Sequence, residues 1–572
     1  MAQALGVQIS SKRIDGTQTF YWIVAILVIL MVVGPLIPVL YQGIVDAPIY
    51  QADKKLTLDN FWRLVSAPDV GRMALNTLYI AVLATVIAQV VGAGMAILMG
   101  RTNLPGRTWL GELFLWPLYV GHLVIAFGWL TMYGPSGFVT IAVKTTVGIA
   151  PWDLYTLTGM GVVAGVTLAP MTYLLCLGMA LKADGQMEDA ARSVGASPAR
   201  ALWSVTIPLM RPALVYSAML NFVISIELLS IPLLFGSPVS IQTITTYIYQ
   251  NGLRAIGMPD YGLVGAAAII LLVIVSFMIW LQNRLVLKSE RFVSVRGKAA
   301  RISRLNLGWA KWPLTVLVCA YVFFFVVLVV GGVMLRASVS FLTPLIPISK
   351  VLTWANFLTI WNSETFMRAI TNSILISTIG GAIGVAVVLM VVLVAMRSNF
   401  RYRRVLEYVA LYPRAVPGII AGLGFFYMMI WLPGFDQFRG TIWIIIAAFV
   451  MRYLPLGFNT LAPAIGQISN DLDKGARSVG ASWWTASRQV VIPLIKPAIF
   501  GAFCLLFIQF FKEYVTASFL TQSGSEIIGT SMLALWNNGE NGAVSALATI
   551  QIVITLVFVI AARRILGVKM YG

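Results

Sequence analysis

The sequence predicts an all-α polytopic membrane protein built from two tandem six-helix halves, about twelve spans in all. Three observations carry that prediction. Of 572 residues, 59% are hydrophobic and only 11% are charged, with a mean hydropathy of +0.88, whereas a soluble domain is about 25% charged. Apolar runs recur that reach the roughly 20 residues a span needs, because hydrocarbon offers no partner to an unpaired backbone group. A distinctive polar loop also occurs twice at a fixed distance, the mark of a duplicated domain.

Twelve runs meet the length test: about 20–41, 73–99, 109–133, 157–181, 211–236, 260–283, 313–335, 369–396, 405–432, 441–463, 496–520 and 543–562. The first follows Lys12 and Arg13 but is longer than a signal-peptide core and lacks a small-residue cleavage site, so it counts as a span. Alternating the spans from a cytoplasmic N-terminus places Arg101, Arg107, Lys182, Arg192, Arg200, Arg397, Arg401, Arg403, Arg404, Lys474, Arg477, Arg488 and the tail Arg563, Arg564 and Lys569 on one side. The opposite loops carry Asp46, Asp53, Asp59, Asp69, Asp153 and Asp260. Lys and Arg are retained inside, so both termini are expected in the cytoplasm. The net charge of +19 is thereby a topology signal, and no nucleic-acid partner is expected. Residues 1–284 form the first half, 285–312 a basic cytoplasmic linker holding Lys288, Arg291, Arg296, Lys298, Arg301 and Arg304, and 313–572 the second half.

The repeat is sharpest in two polar segments, about 184–210 and 469–495. Glu188-Asp-Ala-Ala-Arg-Ser-Val-Gly-Ala-Ser197 returns as Asp473-Lys-Gly-Ala-Arg-Ser-Val-Gly-Ala-Ser482, and Pro208 and Pro212 return as Pro493 and Pro497, each 285 positions on. Asn76, Arg101 and Pro117 match Asn372, Arg397 and Pro413 at 296 positions, Pro170 matches Pro455 at 285, and Glu227 and Glu513 stand 286 apart. An even number of spans per half gives both copies the same orientation. Within each segment Ala190, Ala191 and Arg192 favour helix, Gly195 can close it by taking positive φ, and Ser197 or Ser482 can cap the helix that follows.

These segments resemble the EAA loop of binding-protein-dependent ABC importer permeases, whose pattern runs Glu-Ala-Ala, three residues, Gly. The resemblance implies type I (MetI-like) transmembrane domains in a bacterial inner membrane. It also implies a cytoplasmic coupling helix in each half that docks one of two copies of an ABC ATPase. Carried over, Glu188, Ala190, Ala191 and Gly195 would dock one ATPase and Asp473, Gly475, Ala476 and Gly480 the other. Asp473 for Glu and Gly475 for Ala are departures that weaken the second site. ATP and Mg would sit on the ATPase, with no cofactor on this chain and a periplasmic binding protein delivering cargo. The chain shows no Walker A run and no zinc-type or Gly-x-Ser-x-Gly constellation, so it is not expected to be an enzyme.

Ionisable groups at membrane depth cost about 2.5–3.5 kcal/mol on insertion scales. Glu227, Arg414, Arg452, Lys512 and Glu513 are therefore candidates for the translocation path, against a reading in which they pair structurally between helices or, for Arg414 and Arg452, snorkel at span ends. His122 is expected as a packing residue and no metal site is expected; Trp116, Tyr119, Trp129, Tyr133, Tyr412 and Tyr427 are expected as interface anchors. Two fused halves with Arg101-Thr-Asn-Leu-Pro-Gly-Arg107 and Pro413-Arg-Ala-Val-Pro-Gly418 look like the ferric-iron permease subfamily. Ferric iron is the first-choice cargo, with a small anion such as an organophosphonate, a polyamine or thiamine as alternatives. A twelve-span secondary transporter is the alternative class.

Overall fold

The computed structural model describes residues 16–182, 185–253, 260–289 and 304–566. The expected Lys12, Arg13, Lys569 and the linker charges Arg291, Arg296, Lys298 and Arg301 lie outside these residues. Among the described residues, nine helices are long and apolar enough to cross a membrane. Three further pairs qualify as single bent spans, giving up to twelve.

The bends correct four of the expected spans. Pro117 interrupts the third, which resolves into Arg107–Phe114, Trp116–Tyr119 and His122–Tyr133. Pro413 and Pro417 break the ninth into two limbs at 109°, as proline must when it removes an N–H and crowds the preceding turn. The fifth and eleventh spans stop at Glu227 and Lys512 rather than at 236 and 520, because Leu228 and Glu513 turn to extended backbone. Short helices Ile244–Leu253 and Ile528–Asn537 follow.

The first span of each half packs on the other half. Tyr21 lies 5.9 Å from Phe400 and 5.1 Å from Trp483, and Tyr41 stacks at 5.4 Å on Trp431. Reciprocally, Tyr321 meets Phe114 at 5.8 Å, Phe325 meets Trp129 at 5.7 Å, and Tyr133 donates to the Phe324 carbonyl at 2.7 Å. Trp129, Tyr133 and Tyr427 are therefore buried inside the molecule and do not anchor it at the interface. Their large rings bridge helices, where burial of aromatic area favours association.

Within each half, small residues let helices approach. Between Pro68–Arg101 and Leu157–Lys182, Ala84, Ala88 and Ala96 are fully buried. A Cβ at Gly92 would sit 2.4 Å from the Ala169 carbonyl, so only glycine fits. The repeat also reaches further back than the sequence alone revealed, with Leu56 and Asn60 standing 296 positions before Leu352 and Asn356, and Gly43 and Val45 standing 294 before Ala337 and Val339. Val45 bridges Leu56 as Val339 bridges Leu352. Asn60 donates to the carbonyls of Gly43 and Val45 at 3.2 and 2.7 Å, and Asn356 to those of Ala337 and Val339 at 3.0 and 2.9 Å.

Candidate functional site

The two duplicated loops fold alike. Helix Gly185–Ser193 is followed by Pro198–Ala201, and Asn470–Ser478 by Trp483–Ala486. Gly195 and Gly480 adopt φ of +90° and +94°. Their N–H groups close onto Arg192 and Arg477, and the next N–H groups reach back to Ala191 and Ala476. Ser197 and Ser482 accept from the N–H of Arg200 and Thr485 at 3.3 and 3.1 Å, capping the second helices. Each loop then passes through one π-helical turn, 202–206 or 487–491, and bends by 63° or 75° into the fifth span. No Cβ at either glycine would meet a neighbour, so the cost of substitution is conformational. Gly195→Val or Gly480→Val is expected to cost about 1–2 kcal/mol in its loop, visible as faster amide exchange there with the span helices unchanged.

The acidic residues that open the motifs face inward in the structure. Glu188 is 1% exposed and Asp473 9%. Arg101, the last residue of helix Pro68–Arg101, holds the Glu188 carboxylate at 2.7 and 3.1 Å through two of its nitrogens, and the Thr206 hydroxyl donates to the same oxygen. Arg397, the last residue of Gly381–Arg397, meets Asp473 at 2.9 Å and donates to the carbonyls of Ile465 at 2.7 Å and of Ile468. Trp483 donates to the Arg397 carbonyl at 2.9 Å. Two matched arginines thus clamp two matched carboxylates, tying each loop to the second span of its own half. Sequence reasoning paired Arg101 with Arg397 and Glu188 with Asp473, but did not join the pairs. The signal available was that both shared one repeat on one membrane side.

With the carboxylates turned in, Ala190, Gly195, Gly475 and Gly480 lie at the surface and Ala191 and Ala476 are half-buried. The exposed apolar residues match by 285 positions: Val194 and Val479 at the tips, 86% and 85% exposed, and Met187 and Leu472 seven residues earlier, at about half. In each loop the first apolar residue sits on the helix and the second in the turn that directly follows its last residue.

A second constellation joins the halves. Arg452 lies 3.2 Å from Glu227 of the first half and 3.8 Å from Glu513 of its own. Tyr453 donates its hydroxyl to Glu513, and the Thr516 N–H does so at 3.0 Å. Glu227 ends helix Arg211–Glu227 and Glu513 directly follows Lys496–Lys512. Two helix C-termini, each carrying partial negative charge, therefore add to the two carboxylates around one guanidinium. Lys512 donates across the halves to the Leu118 carbonyl at 2.7 Å and Arg414 to Gln282 at 2.8 Å. Arg452 and Arg414 both bridge the halves beside a cavity of about 150 Å³ lined by Glu227, Gln282, Arg414, Arg452 and Tyr453. Among the described residues, no group of three or more His, Cys, Asp or Glu is placed to hold a metal, and His122 opens helix His122–Tyr133.

The family model described as "Binding-protein-dependent transport system inner membrane component" matches residues 91–290 and again 388–567. The chain is 23% identical over 95% of its length, and 77% of the relative's, to the ferric transport system permease protein FbpB of Actinobacillus pleuropneumoniae. It is 25% identical over 97% of its length and 98% of the relative's to the probable ABC transporter permease protein y4fN of Sinorhizobium fredii. A shorter likeness, 27% identity over 27% of this chain and 57% of the relative, joins it to the putative 2-aminoethylphosphonate transport system permease protein PhnV of Salmonella typhimurium. Two family matches in tandem on a chain of apolar helices make this protein a multi-pass, fused two-domain ABC importer permease, a member of the family of binding-protein-dependent transport system inner membrane components.

Proposed function

We propose that this permease carries ferric iron, handed over by a periplasmic binding protein, into the cytoplasm while its two duplicated loops each seat one subunit of a cytoplasmic ATPase. The observation that carries the docking is the two matched apolar pairs, Met187 with Val194 and Leu472 with Val479, held outward because Glu188 and Asp473 are clamped inward. Exposed apolar side chains at two repeat-related sites, each spanning a short helix and the turn that ends it, suit a helix-in-groove contact. ATP and Mg belong to the partner. Closure of the ATPase pair would move both loops, and the Arg101 and Arg397 clamps would pass that movement into helices Pro68–Arg101 and Gly381–Arg397. The halves then rock about the Glu227–Arg452–Glu513 contact.

The likeness to ferric permeases along nearly the whole chain favours iron. Hard oxygen donors, here Glu227, Glu513 and the Tyr453 phenol, are compatible with a hard cation in passage. A second reading, a small anion such as an organophosphonate, is favoured by Arg414 and Arg452 on the cavity wall with Lys512 near by. Proteoliposomes holding the permease, its ATPase and its binding protein should show ATP-dependent, vanadate-sensitive uptake of radioactive iron. Uptake of 2-aminoethylphosphonate in place of iron overturns the cargo. Uptake driven by an ion gradient with no ATPase present overturns the docking.

A further inference from the structure

We propose that two repeat-related short helices, Asp59–Ser66 and Ala355–Trp361, lie in the lipid interface on the membrane face opposite the duplicated loops and anchor the second span of each half to that leaflet. The side of the membrane follows from the first span: Phe20, at its start, packs on Trp483 and Trp484 of the second loop at 5.8 and 5.6 Å. The 28-residue apolar stretch Gly16–Gly43 then carries the chain away from that loop to the Val45–Leu56 bridge.

Each helix has two faces, and the repeat keeps both. The inner row Asn60 and Leu64 returns 296 positions later as Asn356 and Ile360; the asparagines hold the preceding hairpins and Leu64 and Ile360 are buried. The outer row Leu58, Trp62 and Val65 returns as Trp354, Leu358 and Trp361, all between 54% and 73% exposed. Large apolar side chains held out of the core at three matched positions in both halves leave on each helix an apolar row that water would disfavour by about 25 cal/mol per Å². Lipid is the occupant that continuity selects. Helix Pro68–Arg101 begins two residues after Ser66 and exposes Leu75, Leu78, Val82, Val86 and Val90 along one face. Helix Glu364–Leu375 begins three residues after Trp361, and its continuation exposes Leu375, Ile379 and Ile383. Those stripes on a spanning helix face hydrocarbon, so the outer rows extend a lipid-facing surface to headgroup depth, where indole rings concentrate.

The test uses the full chain in bilayer discs with Cys319→Ser, since Cys176 and Cys504 are buried. Spin labels at Trp62→Cys, Val65→Cys, Leu358→Cys and Trp361→Cys are expected to be several-fold more accessible to oxygen than to a water-soluble nickel chelate. Labels at the exposed charged positions Asp59→Cys and Glu364→Cys are expected to show the reverse. As a check that needs no cysteine, brominated lipid should quench the fluorescence of the unaltered chain more than that of Trp62→Phe/Trp361→Phe. Nickel accessibility of the outer rows in the bilayer overturns the proposal. Protection of those rows only after the binding protein is added also overturns it, assigning the patch to protein docking.

Discussion

Arg101→Met should release the first duplicated loop and abolish transport. The guanidinium is fully buried, and its removal leaves the Glu188 carboxylate with the Thr206 hydroxyl and no countercharge. Removing one partner of a buried ion pair costs about 3–5 kcal/mol, mostly as the desolvation of the charge left behind. That cost is avoided locally if the loop swings out and hydrates Glu188, so the expected result is a detached loop on an intact membrane core. Amide exchange across 187–209 should accelerate, ATPase retention during purification should fall, and uptake should fall with it. Arg101→Met/Glu188→Met should restore the exchange protection, because two apolar side chains of similar volume can replace a buried pair. Unchanged protection in the single variant would mean that the clamp does not hold the loop. Arg397→Met is expected to act in the same direction on the second loop, where Trp483 and the Phe20–Tyr21 ring cluster supply a second brace.

Arg452→Met should carry the other large effect, at the junction of the halves. Glu227 and Glu513 would then share a largely buried space with two helix C-termini and no cation between them. The expected cost is again about 3–5 kcal/mol, read as a lowered thermal midpoint in detergent and a smaller fraction of chains with both halves protected from protease. Glu227→Gln/Glu513→Gln in the same background should recover most of the loss, since neutral amides no longer repel. If the triple variant is as unstable as Arg452→Met alone, the deficit comes from packing and the charge argument fails. Lys512 does not substitute for the missing guanidinium, because its ammonium is engaged by the Leu118 carbonyl.

The helices and the duplication were legible in the sequence because both are periodic: apolar runs long enough to span, and a polar segment returning in fixed register. The loop tips were legible for a related reason, since Gly195 and Gly480 occupy a backbone region that other residues avoid. What the sequence hid was direction. Glu188 stands in a hydrophilic loop, and hydrophilicity gives no hint that its carboxylate turns inward to Arg101; that depends on where helix Pro68–Arg101 ends in space. The halts at Glu227 and Lys512 were hidden because apolar residues continue past them, so composition alone extended the fifth spans. The exchange of first spans between halves left Trp129 and Tyr133 looking like interface anchors when they are packed against the partner half. Arg452 and the two carboxylates around it could be listed from sequence, but their meeting required long-range packing across 225 positions.

The number of ATPase subunits bound per permease tests the central claim most directly. Native mass spectrometry of the purified importer should give two ATPase subunits on the unaltered chain. Val194→Asp or Val479→Asp, each a fully surface change, should weaken one seat, and the double variant should lose both while the permease stays folded. Retention of two subunits by the double variant would contradict the account.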